Sequence, residues 1–254
     1  MAWLRRKTKA LPIAASAPMG EVVYAIGDVH GRADLLAALL EQIGTDAASR
    51  PDLRPRLVML GDYVDRGAES RRVIEMLVEL QKSGGHGRLT ALRGNHESAM
   101  LDFLERPRTG STWCEYGGRD TLLSYGVVAP HTRKPEDWIA ARDALRLALP
   151  ADHLRFLSEL QPFAEIGDYL FVHAGFRPNT PLAQQVDEDM LWIREAFLDA
   201  PPWLPQMIVH GHTPFAEPSE GPGRIDIDTG AYATGVLTAL RLEGDQRGYI
   251  QTRP

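Results

Sequence analysis

The sequence predicts an α/β protein whose central strands are buried on both faces. Five short apolar runs rich in Val, Ile and Leu support this prediction, because strands covered on both faces read as continuous apolar stretches. They occupy residues 22–26, 56–60, 89–92, 169–172 and 206–209. A second observation is the helical spacing of apolar residues after the first two runs. The third is that Gly or polar residues close every run.

Two amphipathic helices are predicted, one after each of the first two runs. The first begins near residue 34 and stops at Gly44, with apolar positions at helical spacing: Leu35, Leu36, Leu39, Leu40 and Ile43. The second ends before Gly84 and Gly85 and has on one face Val73, Ile74, Leu77 and Val78. This alternation of strand and helix predicts parallel strands with helices packed outside them.

Residues 97–161 have a different character and read as one helix after another. Helices are expected around 113–125, 135–147 and 152–160, and we interpret the segment as a helical insertion beside the strand ends. After it, runs at 163–166 and 169–172 flank Gly167 and Asp168, a two-residue hairpin turn. Strand-like runs at 224–227 and 236–242 close the chain.

A single domain is expected over residues 20–254, because polar motifs from position 28 to position 212 must meet in space. The 254 residues are 44% hydrophobic and 24% charged, as in an ordinary globular protein. Residues 1–19 are predicted to be a flexible basic tail. A secretory signal is the alternative for this segment, but its apolar part is short and is broken by Pro12.

Charge and cysteine content exclude several classes of protein. The formal net charge of −6 argues against a nucleic-acid partner, because phosphate-backbone binding needs clustered cations. No apolar run reaches the roughly 18 residues of a membrane span, so no membrane partner is expected. The one cysteine, Cys114, cannot form an internal disulfide, and we therefore expect a cytoplasmic protein.

Five polar motifs follow the apolar runs: GDVHG at 27–31, GDYVDRG at 61–67, RGNHE at 93–97, HA at 173–174 and HGH at 210–212. Each has an ordinary structural explanation when taken alone, such as an aspartate that makes a turn or a buried, hydrogen-bonded histidine. Polar residues just past the carboxyl ends of several strands, however, converge in one crevice. This convergence predicts an enzyme.

The converging set suits two divalent metal ions. Carboxylate, amide and imidazole donors without thiolate favour Mn, with Fe or Zn as alternatives, over Ca or a structural zinc. Asp62 can bridge the two ions, with the remaining donors divided into Asp28 and His30 for one ion and Asn95, His173 and His212 for the other. Two cations about 3.5 to 4 Å apart acidify a shared water, so a bridging hydroxide would attack a phosphate ester.

Hydrolysis of a phosphate ester also needs a proton donor and cations for the phosphate oxygens. His96 is the expected general acid because an imidazole titrates near neutral pH, and Asp65 would orient and charge-stabilise it. Arginine binds phosphate oxygens in a bidentate manner. The candidates are Arg66, Arg93 and Arg194, although a surface ion pair is the more common role of a single arginine.

Together, GDVHG, GDYVDRG, RGNHE, HAG and HGHTP resemble the phosphoprotein phosphatase family of binuclear metallophosphoesterases, over about residues 22–235. The resemblance implies a four-layer sandwich in which two central mixed β-sheets lie between helical layers, with the metals at one edge. It implies the same two metal sites, the same pair of His96 and Asp65, and phosphate binding by Arg66 and Arg93. The stretch at 191–194, LWIR, matches a Leu-Trp-x-Arg stretch of bacterial and phage-type members and implies the same role for Arg194.

Three functions remain open from the sequence. The favoured one is a bacterial-type serine/threonine protein phosphatase, with a phosphoprotein or phosphopeptide as its substrate and with activity on phosphotyrosine also allowed. The second is a hydrolase of diadenosine tetraphosphate or another nucleotide pyrophosphate, which shares the motifs. The third, a noncatalytic phosphate-binding protein, predicts the loss of a ligand or of the acid, and none is missing here. The oligomeric state is left open.

Overall fold

Two five-stranded β-sheets form the centre of the protein in a computed structural model, which describes residues 14–252. The first sheet has the spatial order β10 (Gln246–Gln251), β9 (Thr238–Glu243), β1 (Glu21–Ile26), β2 (Arg54–Met59) and β3 (Arg88–Ala91). The second has the order β4 (Phe163–Ile166), β5 (Tyr169–Val172), β6 (Met207–His210), β8 (Arg224–Asp226) and β7 (Ser219–Gly221). All five strands expected from the apolar runs are present, with shifts of one or two residues at their ends.

Both sheets are mixed, as the family resemblance implies. In the first sheet β1, β2 and β3 are parallel, while β9 and β10 are antiparallel additions. In the second, β5, β6 and β8 are parallel, and β4 and β7 form antiparallel edges. The hairpin expected at residues 163–172 is the β4–β5 pair. Because parallel strands end at the same edge, each sheet directs several loops to one side of the molecule.

The two sheets pack face to face, and helices cover their outer faces. Val23 and Ala25 of β1 belong to a buried cluster shared with the second sheet, whereas the alternate residues Val22 and Tyr24 belong to the cluster beneath the helices. On the far side, the second sheet packs against Met190 and Phe197 and neighbouring residues. Burial on both faces explains the continuous apolar runs in the sequence. The arrangement is the four-layer α/β sandwich that the resemblance implies.

Helices connect the strands and form the segment between β3 and β4. The helices of four or more residues with α geometry are α1 (Ala33–Ala48), α2 (Ser70–Ser83), α3 (Asn95–Glu105), α4 (Gly110–Trp113), α5 (Arg119–Ser124), α6 (Pro135–Ala148), α7 (Ala151–Ser158), α8 (Asp187–Trp192), α9 (Glu195–Leu198) and α10 (Ala231–Thr234). The first predicted helix is longer than expected, because Gly44 lies inside α1. Among the helices of residues 14–252, none combines the length and hydropathy needed to cross a bilayer.

Three details differ from the sequence-based expectations. The helical segment begins at Asn95 rather than at residue 97, so Asn95 and His96 lie in the first turn of α3 and not in a strand-end loop. The helix expected at 113–125 is interrupted by a π-helical turn, Cys114–Gly118, where Gly117 has φ of 116°. Two strands, β7 and β10, were not predicted. Both pair at sheet edges, where the sequence carries few apolar residues.

The structure describes only part of the tail predicted for residues 1–19. Residues 1–13 lie outside the described residues. Ala15 and Ala17 are buried against the second sheet, and the Ala17 amide donates to the Gly244 carbonyl at 2.8 Å. The Tyr169 hydroxyl donates to the Ala15 carbonyl at 3.2 Å. Within the predicted tail of residues 1–19, Ala15 and Ala17 thus contact the domain, while Ala14, Ser16 and Met19 are exposed.

Candidate metal centre

The loops after β1 and β2 contain polar residues in a backbone conformation that residues other than Gly rarely adopt. Positive φ angles of 45° to 73° occur at His30, Asp62, Asp65 and Arg66. The two loops touch each other: a Cβ atom at Gly67 would lie 2.2 Å from the His30 carbonyl oxygen. Strained residues persist only where the surrounding structure holds them, and they cluster at functional sites. These residues therefore adopt unfavourable backbone conformations that direct their side chains into one cleft.

Two overlapping groups of side chains in this cleft can each hold a metal ion. Within each group the potential ligand atoms lie within 4.8 Å of one another, and the groups are His30, Asp62 and His96, and Asp62, His173 and His212. Asp62 is common to both. Its Oδ2 lies 3.4 Å from His30 Nε2, and its Oδ1 lies 3.4 Å from His173 Nε2. The structure thus places Asp62 between two sets of histidines, where a bridging carboxylate is required.

The hydrogen bonds of the histidines fit metal ions. His30 Nδ1 lies 2.9 Å from the Val64 carbonyl and His173 Nδ1 lies 3.0 Å from the Leu60 carbonyl. A carbonyl only accepts, so each Nδ1 carries the proton and each Nε2 presents a lone pair. His173 Nε2 then faces the Asn95 Oδ1 atom, another acceptor, at 2.9 Å. A cation between these two atoms would bind both of them, and the carbonyl bonds orient the rings as in metal sites.

The ionisation of the side chains agrees with this arrangement. Burial, opposed by the Asp62 carboxylate, lowers the pKa of His30 to about 3. Burial and the neighbouring His173 lower the pKa of His212 to about 2, and within the described residues the buried Nε2 atom of His212 has no hydrogen-bond partner. Burial alone would raise the pKa of Asp62, but the surrounding histidines lower it below its usual value. Metal binding requires these states, a carboxylate and neutral imidazoles.

The two other predicted ligands, Asn95 and Asp28, reach the same cleft by different routes. Asn95 opens α3, and the next amide, that of His96, donates to Asp62 Oδ1 at 3.1 Å. Asp28 is buried and accepts from the His212 amide at 3.2 Å. Asp28 belongs to neither three-residue group, whereas His96 belongs to the first. The ligand roles of Asp28 and Asn95 stay predictions, although both side chains lie beside the cluster.

His96 is held by a buried network centred on Asp65. His96 Nδ1 donates to Asp65 Oδ2 at 2.7 Å, and the indole Nε1 of Trp113 donates to the same oxygen at 2.8 Å. The Thr121 hydroxyl donates to Asp65 Oδ1 at 2.5 Å. Burial opposes the charged form of His96, but the carboxylates of Asp62 and Asp65 raise its pKa above the usual value. Its Nε2 atom faces the cleft, 3.9 Å from Asp62 Oδ2.

The three predicted phosphate-binding arginines have different surroundings. Arg66 donates to His30 Nε2 at 2.9 Å, and its other terminal nitrogen lies 3.2 Å from His96 Nε2, so its guanidinium lies within the cluster. Arg194 donates to the His212 carbonyl at 3.0 Å and borders the second group. Arg93 lies 3.7 Å from Asp187 Oδ2 and donates to the Leu160 carbonyl at 3.3 Å. Arg66 is placed at the ligand atoms and Arg194 borders the second group, whereas the side-chain contacts of Arg93 are with Asp187 and Leu160.

Glu97 has a structural role that sequence reasoning did not assign. This buried carboxylate accepts backbone N–H bonds of 2.7 to 3.1 Å from four residues: Asp62, Tyr63, Val64 and Gly94. It therefore ties the loop after β2 to the start of α3. The sequence signal was the position of Glu97 directly after His96 and three residues after Gly94, where a glutamate at the third helical position reaches back to the helix start.

Comparison with known families decides the class of this site. The model of the family described as calcineurin-like phosphoesterase matches residues 22–233, which span the strands and every predicted metal ligand. The chain belongs to this family. The family is one of metallophosphoesterases that use divalent metals, in agreement with the two groups that meet at Asp62.

Curated relatives of this phosphoesterase carry two kinds of name. This chain is 30% identical over 241 residues to the asymmetrical bis(5'-nucleosyl)-tetraphosphatase PrpE of Bacillus anthracis, and the alignment covers 85% of this chain and 88% of the relative. It is 28% identical over 225 residues to serine/threonine-protein phosphatase 1 of Salmonella typhimurium, with 87% and 92% covered. Both alignments include nearly the whole domain.

Solved structures show the same fold at lower sequence identity. A protein proposed to be a diadenosine tetraphosphatase superposes with a TM-score of 0.61 at 20% identity, covering 94% of this chain and 99% of the other. A cold-active protein-tyrosine phosphatase of Shewanella superposes with a TM-score of 0.57 at 17% identity, covering 94% and 84%. At these identities the comparison supports the architecture of the phosphoesterase and not its substrate.

Proposed function

We propose that this phosphoesterase is a serine/threonine protein phosphatase that removes phosphate from phosphoproteins with the aid of two divalent metal ions. Manganese suits the mixed oxygen and nitrogen donors, and iron or zinc would also fit them. A cytoplasmic location belongs to the same proposal, because Cys114 is a free thiol. His96 acts as the general acid, and Asp65 holds it in place.

The observation that carries the proposal is the hydrogen-bonded pair of His96 and Asp65 beside Asp62. Serine and threonine phosphates release an alkoxide, whose conjugate acid is about as weak as water with its pKa of about 15.7. Such a leaving group needs a proton during bond breaking. A nucleotide released from a polyphosphate leaves as a phosphate with a pKa of about 6 and needs little help. An acid held by Asp65, Trp113 and Thr121 therefore favours the alkyl ester.

The side chains of the cleft have separate tasks in this mechanism. The residues that would hold the ions are Asp28, His30, Asp62, Asn95, His173 and His212. When bound, the two ions would supply an activated water and neutralise charge on the phosphoryl group. Arg66 donates N–H bonds to the phosphate oxygens, and Arg194 and Arg93 are the further candidates for binding them. His96 gives its Nε2 proton to the departing oxygen, and Asp65 stabilises the imidazolium before transfer.

Hydrolysis of dinucleoside polyphosphates is the second candidate. It is supported by the 30% identity over 85% of this chain to the tetraphosphatase of Bacillus anthracis. The reaction would use the same ligands and arginines but would depend less on His96. Dependence on the leaving group therefore separates the two candidates.

The experiment compares His96→Asn with the unchanged protein on three substrates in the presence of manganese. These are a phosphoserine peptide, p-nitrophenyl phosphate and diadenosine tetraphosphate. We expect the phosphopeptide to have the highest kcat/KM, and its kcat to fall about 1000-fold in the variant, as expected for loss of a general acid. The aryl ester should lose less than about tenfold, because its phenolate leaves without a proton. Metal content should be unchanged.

A matched control is His131→Asn, which changes an exposed histidine outside the cleft and should leave all three rates unchanged. Equal losses on the peptide and the aryl ester would remove His96 from the role of acid. A higher kcat/KM for diadenosine tetraphosphate than for every phosphopeptide would replace the proposed function with the second candidate.

A further inference from the structure

A groove runs from the metal centre along one face of α3. Its volume is about 710 Å³. The α3 residues that line it are Asn95, His96, Ser98, Ala99, Leu101, Asp102 and Glu105, and Arg106 follows the helix. From His96 to Glu105 the helix rises about 14 Å, which matches about four residues of extended peptide.

The inner end of the groove is lined by His96, the proposed proton donor. A general acid must lie within hydrogen-bond reach of the leaving oxygen. The leaving group, and not the transferred phosphoryl group, is therefore the part of the substrate that extends into the groove. For a phosphoprotein this part is the polypeptide around the phosphorylated residue.

Two exposed aromatic side chains line the groove close to its inner end. Tyr116 is 59% exposed and Trp192 is 48% exposed. The Trp192 ring centroid lies 6.1 Å from that of His212, on the side of the second metal group. Tyr116 precedes Gly117, whose carbonyl accepts from the Arg66 amide on the side of the first group. Within the described residues the two rings do not pair with each other, so both are available to a ligand.

The charges at the outer end argue against a polyphosphate occupant. Arg106 forms an ion pair with Asp102, and Arg146 forms one with Glu105 at 3.0 Å. Arg108 alone among the lining arginines makes no ion pair within residues 14–252. A tetraphosphate would bring several negative charges to a surface whose two carboxylates and their arginine partners neutralise each other, leaving Arg108 as the one unpaired cation among the residues that line it. An extended peptide with an apolar side chain matches this surface better.

We propose that the groove binds the peptide around the phosphorylated residue and that Tyr116 and Trp192 bind an aromatic side chain adjacent to that residue. This inference rests on the proposed function and adds a sequence preference to it. Ser98 and Ala99 lie on the same groove wall and are small, so they leave room for the ring. Aromatic contact at this position increases kcat/KM through binding and does not take part in the chemical step.

The first test uses the unchanged, manganese-loaded protein. Three phosphoserine peptides are compared: an alanine-rich parent, a peptide with Phe directly before the phosphoserine and one with Phe directly after it. We expect one of the two Phe peptides to have a kcat/KM about tenfold above that of the parent, equivalent to burial of part of an aromatic ring. Equal kcat/KM for all three peptides would overturn the inference while the proposed function stands.

The second test removes the aromatic side chains with Tyr116→Ala and Trp192→Ala. Each variant should reduce the preference for the Phe peptide to about twofold or less, mainly through a higher KM. The matched control is Tyr249→Ala, an exposed tyrosine of β10 that does not line the groove, and it should keep the full preference. An unchanged preference in both groove variants would contradict the assignment.

Two other outcomes separate the inference from the function on which it rests. If no phosphopeptide is hydrolysed while diadenosine tetraphosphate is, the proposed function itself fails. If phosphopeptides are hydrolysed without an aromatic preference and Tyr116→Ala instead lowers kcat/KM for diadenosine tetraphosphate, the rings stack on a nucleobase. That result overturns the peptide assignment of the groove.

Discussion

The two sheets contribute unequal halves to the metal centre. The half carried by the first sheet comes from strained loops, in which His30, Asp62, Asp65 and Arg66 all have positive φ. In the half carried by the second sheet, His173 follows directly after β5 without a positive φ, and only His212 is in the left-handed region. The first half is thus shaped by loop conformation, and the second is placed mainly by strand ends.

The two halves also differ in the contacts that hold their side chains and loops in place. Glu97 accepts hydrogen bonds from four backbone amides of the first half. Asp65 accepts hydrogen bonds from the side chains of His96, Trp113 and Thr121. In the second half, His173 is fixed by the Leu60 carbonyl and by its strand. The difference indicates that function in the first half depends on residues that touch neither metal nor substrate. In the second half the ligands themselves should be the sensitive positions.

The largest effect is expected at Asp62, where the two halves meet. Asp62→Asn removes the charge that both ligand groups share, so metal content should fall from two ions per chain to nearly none, and kcat by roughly three orders of magnitude. His173→Asn, within the second half only, should release about one ion. Metal analysis of the purified variants, with kcat measured in parallel, checks both. Two ions retained in Asp62→Asn would contradict a bridging role.

Glu97→Gln tests the support of the first half. The amide keeps one acceptor oxygen but turns an NH₂ group toward backbone N–H donors, so the free energy of unfolding should fall by about 3 kcal/mol. Denaturant unfolding measures this change. The control is Glu105→Gln on the same helix, an exposed glutamate that should change stability by less than about 0.5 kcal/mol. Wild-type stability of Glu97→Gln would mean that the four bonds do not hold the loop.

Asp65→Asn separates orientation of His96 from its ionisation. The carboxylates of Asp62 and Asp65 raise the pKa of His96, and only protonated His96 can donate, so the rate falls as pH rises through that pKa. Loss of the Asp65 charge lowers this pKa. The alkaline limb should therefore move to lower pH by about one unit, with kcat on a phosphoserine peptide reduced about 100-fold.

The pH profile of Asp65→Asn is measured with both the peptide and p-nitrophenyl phosphate in metal-loaded protein. The exposed Asp52, changed to Asn, is the control and should leave the profile unchanged. A lower kcat with an unmoved alkaline limb would assign Asp65 a purely steric role.

Local patterns predicted the buried strands and the candidate residues of the centre, whereas the four-layer arrangement followed from the family resemblance. Strands buried on two faces give apolar runs, and β5 was placed to the residue because Gly167 and Asp168 mark its turn. The candidate metal ligands could be named because each follows such a run. Strands β7 and β10 were not predicted, because edge strands bury only part of their residues and therefore lack a continuous apolar run. Their extended conformation depends on pairing with a neighbouring strand.

What the sequence could not provide was the identity of the supporting contacts. Glu97 bonds to amides more than 30 residues earlier in the chain, and Trp113 reaches Asp65 across 48 residues. Such contacts depend on tertiary packing, which periodicity does not encode. The extra turn at Gly117 and the groove lined by Tyr116 are likewise products of how the helical segment packs on α3.

The smallest effect is expected at Tyr232, a support of the first half that touches Arg66 from the solvent side. The Arg66 guanidinium carbon lies 4.8 Å from the Tyr232 ring centroid, and the ring also meets that of His30 edge to face at 5.4 Å. A partly exposed cation–π contact contributes about 0.5 to 1 kcal/mol, so Tyr232→Ala should raise KM for a phosphopeptide about threefold. Tyr232→Phe keeps the ring and should retain the wild-type KM. If both variants raise KM to the same extent, the effect comes from the hydroxyl or from the backbone of α10, and the ring does not position Arg66.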